Sequence, residues 1–330
     1  MILRRLIILV LPVLLVVQFT GGCTKTTAGP GSLAIRPAAM TVAVEWRFEI
    51  ESSPGTERVT FICTLPQTIT NRQRVRRLTF NPQPTMRFSE GGNEYARYDL
   101  SCPPRRSKIN IAAELELARC DMETLSARPA ETDWGDSGAL SDYLSAERMI
   151  ESDAPAVRQI AAAVPEGPAI ATVKAIFETT LAHLQKSEYM TDDREAAGAL
   201  AAGRGDCSEF SDLFVALCRA RGIPAFVNEG FIITPVKPGD TPKHAWAEAY
   251  LAGLGWVPFD PFHAAWQSAR FEAMSPTRII LSRRRNDPVL QNYHHWFYQY
   301  WGDPIRVHDA FIVRSARPTA ASVSRPAVAR

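Results

Sequence analysis

Between Gly205 and Pro261 the hydrophobic period of the chain changes from that of a helix to that of a strand, and no other feature constrains the fold as tightly. Phe210, Leu213, Phe214, Leu217 and Cys218 recur at three- and four-residue spacing, the buried stripe of a helix of about four turns. Asp206 suits the N-cap, and Glu209 stands three residues on as in a capping box. Gly222 supplies the stop, and Ile223-Pro224 opens an extended segment. Lys243 to Leu251 then alternates, with His244, Trp246, Glu248 and Tyr250 on one face of a strand. After the turn Ala252-Gly253-Leu254-Gly255, the residues Trp256, Pro258 and Asp260 share a face of the return strand.

Loop length decides whether the two polar faces coincide. Directly paired residues share a face, so a two-residue loop, Gly253-Leu254, would leave His244 and Asp260 on opposite faces. An odd-length loop or a bulge, with a glycine at positive φ, brings them together and is the expected arrangement. Cys207 falls in the first helical turn, where free amide groups and the positive end of the helix dipole favour a thiolate. The carboxylates Asp206 and Glu209 oppose that effect, so a cationic histidine is needed to activate the sulfur. Cys218, about three turns later among apolar residues, reads as a core thiol.

The pieces resemble the transglutaminase-like superfamily, relatives of papain-type cysteine proteases. A G-x-C helix (Gly205, Cys207), a G-I-P-A strand (Gly222-Ile223-Pro224-Ala225), H-A-W-x-E (His244-Ala245-Trp246-Ala247-Glu248) and G-W-x-x-x-D-P (Gly255-Trp256 to Asp260-Pro261) occur in order. The resemblance spans residues 168–265. It implies that Cys207 is a nucleophile, His244 the general base and acid, and Asp260 the residue that orients His244 and stabilises its charged form. For the oxyanion donors it offers the backbone N–H of Cys207, with Tyr189 as a side-chain candidate. The implied chemistry is acyl transfer on peptide or protein amide bonds, with hydrolysis by a peptidase or amidase favoured. Glutamine–lysine crosslinking, which uses the same triad, and a non-catalytic envelope binding scaffold are the alternatives. No cofactor or metal is expected, and no EF-hand-type loop argues for calcium.

Upstream, Val42, Val44, Trp46, Phe48 and Ile50 alternate with polar residues, and the pattern returns at Val59–Leu65 and Ile109–Leu117. Short strands separated by turn clusters predict an immunoglobulin-like antiparallel β-sandwich over residues 41–125. The expected fold class is therefore α+β: this sandwich followed by a papain- or transglutaminase-like α+β core. Residues 126–167 form a connecting segment, with a helix from Ser141 to Val164 interrupted near Pro155. Residues 266–315 are a C-terminal extension expected to pack on the core, and 316–330 a flexible tail. The run Arg72, Arg74, Arg76 and Arg77 reads as a solvated strand edge. The aromatic run Tyr293 to Trp301 reads as packing against the core, although such rings could also wall a peptide groove. Neighbouring His294 and His295 point apart, which disfavours a two-ligand metal site.

The first residues read as an address. Arg4 and Arg5 precede an apolar run from Leu6 to Val17, too short for a roughly 30 Å hydrocarbon core. This is the pattern of a secretory signal peptide over residues 1–22. Gly21-Gly22 before Cys23 resembles a bacterial lipoprotein cleavage box, which implies lipidation at Cys23 and a tether over residues 23–40. The expected setting is the cell envelope, periplasmic or surface side, with a membrane partner at the lipid. Such a compartment permits one disulfide among Cys63, Cys102 and Cys120, and buried free thiols are the equal alternative. The formal charge is only +2 in 330 residues, and it balances without Arg4 and Arg5. A balanced chain gives no electrostatic reason to bind nucleic acid.

Overall fold

The computed structural model describes residues 38–122, 138–188, 194–233, 242–265, 270–271 and 273–319. The front half is built by period-two patterning. Strands β1 (Ala39–Ser52), β2 (Thr56–Leu65), β3 (Gln73–Asn81), β4 (Met86–Glu90), β5 (Asn93–Ser101) and β6 (Arg106–Ala118) follow one another through short turns. In β1 every second residue from Val42 to Ile50 is buried, so the strand offers one apolar face. Trp46, Phe48 and Phe61 fill the space between two sheets, with the Phe48 and Phe61 rings 4.8 Å apart.

The second half contributes helices α1 (Pro155–Ala163), α2 (Ala169–His183), α3 (Ala196–Ala202) and α4 (Cys207–Ala220). A four-stranded antiparallel sheet follows, made of β7 (Ala225–Ile232), β8 (Lys243–Leu251), β9 (Gly255–Phe259) and β10 (Arg278–Ser282) in the order β9-β8-β7-β10. A single turn of helix, α5 (Pro261–Ala264), leaves the end of β9. Ala245, Ala247 and Ala249 of β8 share a buried cluster with Phe210, Leu213, Phe214 and Leu217 of α4. Small residues on this face let the helix lie close to the sheet. The helix expected from Ser141 starts only at Pro155. Ala154 before it is extended (φ −58°, ψ 134°), as the residue before a proline prefers.

The last described strands are β11 (Trp296–Gly302) and β12 (Ile305–Pro318), and here an expectation is corrected in part. Among the described residues of 266–315, β10 joins the core sheet and Phe271 packs on Phe177 and Phe259. Strand β11 pairs with β2 and β12 pairs with β1, so both complete the front sandwich. Its sheets are β12-β1-β6-β3 and β11-β2-β5-β4. The edges of β1 and β2 expose backbone donors and acceptors that need partners, and the last strands supply them. Trp296 accordingly packs near Phe48 and Phe61, at 6.5 and 6.1 Å between ring centroids. Phe231 of the core sheet stacks on Phe311 of β12 at 3.8 Å, which joins the two halves.

No disulfide joins Cys63, Cys102 and Cys120, the first and last of them buried and Cys102 exposed, so the disulfide alternative does not hold. The arginine run lies on β3, an edge strand, where Arg76 pairs with Glu116 and Arg77 with Glu114 across to β6. Arg72 departs from this pattern and reaches Glu248 of β8 at 3.8 Å. No described helix is long and apolar enough to cross a membrane.

His295 is buried, stacks on Phe231 at 5.3 Å, and among the described residues its Nδ1 has no hydrogen-bond partner. Burial pushes its pKa down to about 3, against the pull of Glu229. The unfolded chain takes up this proton near pH 6.5 and the folded chain does not until about 3. Stability is therefore lost as pH falls through that window, at about 1.4 kcal/mol per pH unit. His295→Phe is expected to flatten the pH dependence of unfolding free energy between those limits. An unchanged slope in urea unfolding would contradict this reading.

Candidate active site

The start of α4 is fixed by a capping box. The Asp206 carboxylate accepts the N–H of Ser208 at 2.9 Å, and the Glu209 carboxylate accepts the N–H of Asp206 at 2.8 Å. Glu209 also accepts the N–H of Arg194 at 3.1 Å, tying the helix start to the approach to α3. Gly205 makes this possible, because a Cβ there would lie 2.4 Å from the Cβ of Glu209. Cys207 follows in the first turn, partly exposed. Its sulfur lies against the backbone N–H of Ala245 in β8, the residue after His244. Burial, together with the Asp206, Asp260 and Glu209 carboxylates, pushes its thiol up to about 12. Burial and these carboxylates thus oppose a thiolate at rest on Cys207.

The hairpin has the odd-length loop. Leu251 pairs with Gly255 around Ala252, Gly253 and Leu254, with Gly253 at φ 82°, and Ala247 pairs with Phe259. This register puts Asp260, one residue beyond β9, on the face that carries His244 and Trp246. His244 Nε2 and Asp260 Oδ2 are 2.9 Å apart, and both residues are buried. Among the described residues no hydrogen bond joins Cys207 to His244. Phe262 links their surroundings instead, with its ring 5.6 Å from Phe210 of α4 and 6.2 Å from His244.

Two further residues converge on Asp260. It caps α5, its Oδ1 accepting the N–H of His263 at 3.0 Å. Its Oδ2 also meets His263 Nδ1 at 2.9 Å and accepts from Arg278 Nε at 2.9 Å and from Arg278 Nη2. Burial alone would raise the Asp260 carboxyl, but Arg278 and the two imidazoles hold it well below the usual carboxylate range. Burial pushes His244 below its ordinary value, Asp260 pulls it back, and Arg278 and His263 push it down again. His244 is therefore neutral near pH 7, as a base must be.

His263 was legible only as an imidazole three residues past an Asp-Pro turn, and nothing in the sequence links Arg278 to the hairpin. Ligand atoms of His244, Asp260 and His263 lie within 4.8 Å of one another, close enough to hold a metal ion. Arg278 already places a guanidinium on the same Asp260 oxygen and 3.5 Å from His263 Nδ1, so a cation there would meet a fixed positive charge. Tyr189 and Cys23 lie outside the described residues. The backbone N–H of Cys207 is one of the first-turn amides that have no acceptor within the helix.

Residues 158–261 match the family model described as the transglutaminase-like superfamily, and the chain carries a domain of that class. The match begins ten residues before the stretch in which the motifs are legible. A solved structure of a candidate cysteine protease from Cytophaga hutchinsonii has a similar fold, with 19% identity and a TM-score of 0.56 over 83% of this chain and 91% of that one. The periplasmic domain of TgpA from Pseudomonas aeruginosa, with ethylmercury bound, aligns at 14% identity and a TM-score of 0.37, over 72% of this chain and 93% of that one. No curated protein matches the chain by sequence.

Gly205→Ala tests the construction of the helix start. The added methyl group meets Glu209, so a loss of about 1–3 kcal/mol is expected in chemical denaturation. Unchanged stability would show that the close approach is not a constraint.

Proposed function

We propose that the chain is a cysteine-dependent acyl-transfer enzyme acting on peptide or protein amide bonds, with Cys207, His244 and Asp260 as its catalytic groups. The observation that carries this reading is the buried His244–Asp260 pair, 2.9 Å apart, beside the helix start that bears Cys207. Nε2 of His244 is committed to Asp260, which leaves Nδ1 to take the thiol proton. As that proton moves, the sulfur attacks the amide carbonyl, and the imidazolium formed is stabilised by the ionised Asp260. The backbone N–H of Cys207 is suited to the developing oxyanion. Collapse of the adduct passes the proton from His244 to the leaving amine and leaves a thioester on Cys207. Water, activated by the same imidazole, then releases the acid.

A thiol pushed up to about 12 fits a mechanism in which proton removal accompanies attack. Hydrolysis is preferred to crosslinking here, with peptidase or amidase activity as the outcome. The setting proposed with it is the cell envelope, with anchoring through a lipid on Cys23, and it is drawn from the sequence of residues 1–23.

Thiol labelling gives a direct test, because Cys102 is an exposed free thiol on the same chain. Iodoacetamide near pH 7 is expected to modify Cys207 with the help of His244, so that His244→Ala or Asp260→Asn slows Cys207 by about a hundredfold or more and leaves Cys102 unchanged. Equal rates in all three proteins would remove the basis of the proposal. Mass spectrometry of peptides incubated with the protein and a primary amine then separates cleavage, deamidation and amine incorporation. The expected product is chain cleavage or deamidation, absent with Cys207→Ala.

A further inference from the structure

Three polar atoms at the site form a nearly equilateral triangle. His244 Nε2 lies 2.9 Å from Asp260 Oδ2, His263 Nδ1 lies 2.9 Å from the same oxygen, and the two nitrogens are 3.0 Å apart. The carboxylate oxygen only accepts, and each neutral imidazole has one protonated nitrogen. Two N–H groups aimed at this oxygen would bring their hydrogens within about 2 Å of each other. The triangle therefore holds one proton well and two badly. That proton sits either on His244 Nε2, leaving His263 Nδ1 bare, or on His263 Nδ1, leaving His244 Nε2 bare.

The two placements have opposite consequences for His244. With the proton on Nε2, a neutral His244 has a bare Nδ1 that can accept from the thiol. With His263 Nδ1 as the donor, a neutral His244 carries its proton on Nδ1 and cannot. We propose that His263 is a positioning residue that selects which ring nitrogen of His244 is protonated. The inference rests on the roles proposed above for Cys207 and His244.

The surroundings determine when each placement prevails. Arg278 on β10 donates to Asp260 and sits 3.5 Å from His263 Nδ1, so its charge opposes a proton on that nitrogen. Among the charged or titratable groups facing the pair are Asp260 at the end of β9 and Cys207 on α4. The side chain of His263 is 22% exposed, against 4% for His244 and 0% for Asp260, so His263 is the member of the triangle that exchanges protons with solvent. A proton taken from water onto its Nδ1 is donated to Asp260. The His244 proton then moves from Nε2 to Nδ1, and the charge of His244 does not change. One added proton on either imidazole thus silences the thiol, and the triangle disfavours a second.

The test uses the full chain and two readouts. The logarithm of the Cys207 alkylation rate is followed against pH from about 8 down to 5. Both proteins are expected to reach a limiting acid slope of about one, with the wild-type midpoint at higher pH than that of His263→Ala. Nitrogen-15 spectra of the imidazoles give the second readout, on wild type alone, which covers the case in which the variant does not fold. The His244 Nε2 signal is expected to change from protonated to bare as His263 gains its proton. Identical midpoints in the two proteins, or a His244 Nε2 that stays protonated throughout, would overturn the proposal. The catalytic reading fails separately, if His244→Ala leaves Cys207 alkylation and its pH profile as in wild type.

Discussion

A fully buried carboxylate kept ionised is the interaction on which this site depends. Asp260 has no exposed surface, and an isolated charge there would be neutralised by protonation. It remains ionised because four groups are aimed at it: the imidazole of His244, the imidazole and backbone N–H of His263, and the guanidinium of Arg278. Three structural devices supply them. The three-residue loop sets the face of the hairpin, the N-cap of α5 supplies the amide, and the pairing of β10 with β7 brings up the arginine. Removing one partner of such a buried cluster leaves the others uncompensated, which explains why its geometry is built so redundantly.

The nucleophile's side of the site follows another logic. The capping box that begins α4 uses two carboxylates, and both raise the pKa of the thiol next to them. The helix gains a well-defined start at the expense of a thiolate at rest. A thiol held in this way depends on its base, so its reactivity is tied to the protonation of His244. This couples the two halves of the site chemically, although the cysteine lies at the start of a helix and the histidine on a strand of the sheet beneath it.

Much of this was legible before any coordinates, where local rules apply. The capping box at Asp206 and Glu209, the stop at Gly222 and the odd-length hairpin all follow from spacing within a few residues. The disulfide alternative and the packing of residues 266–315 were not decided by such rules. Strands β11 and β12 pair with β2 and β1 more than two hundred residues away in sequence, and nothing near Trp296 or Ile305 marks that choice. Arg278 was missed for the same reason, since its approach to Asp260 depends on β10 lying beside β7. His263 sits three residues from Asp260, yet its significance appears only once α5 turns its ring back toward His244.

The central claim is that Cys207 carries a covalent acyl group during turnover. Intact-protein mass spectrometry after brief exposure to an activated ester tests it most directly. The account requires a single acyl adduct that maps to Cys207, is released by neutral hydroxylamine as a thioester should be, and is missing from Cys207→Ala. An adduct that survives hydroxylamine, or one that forms equally in Cys207→Ala, would contradict it.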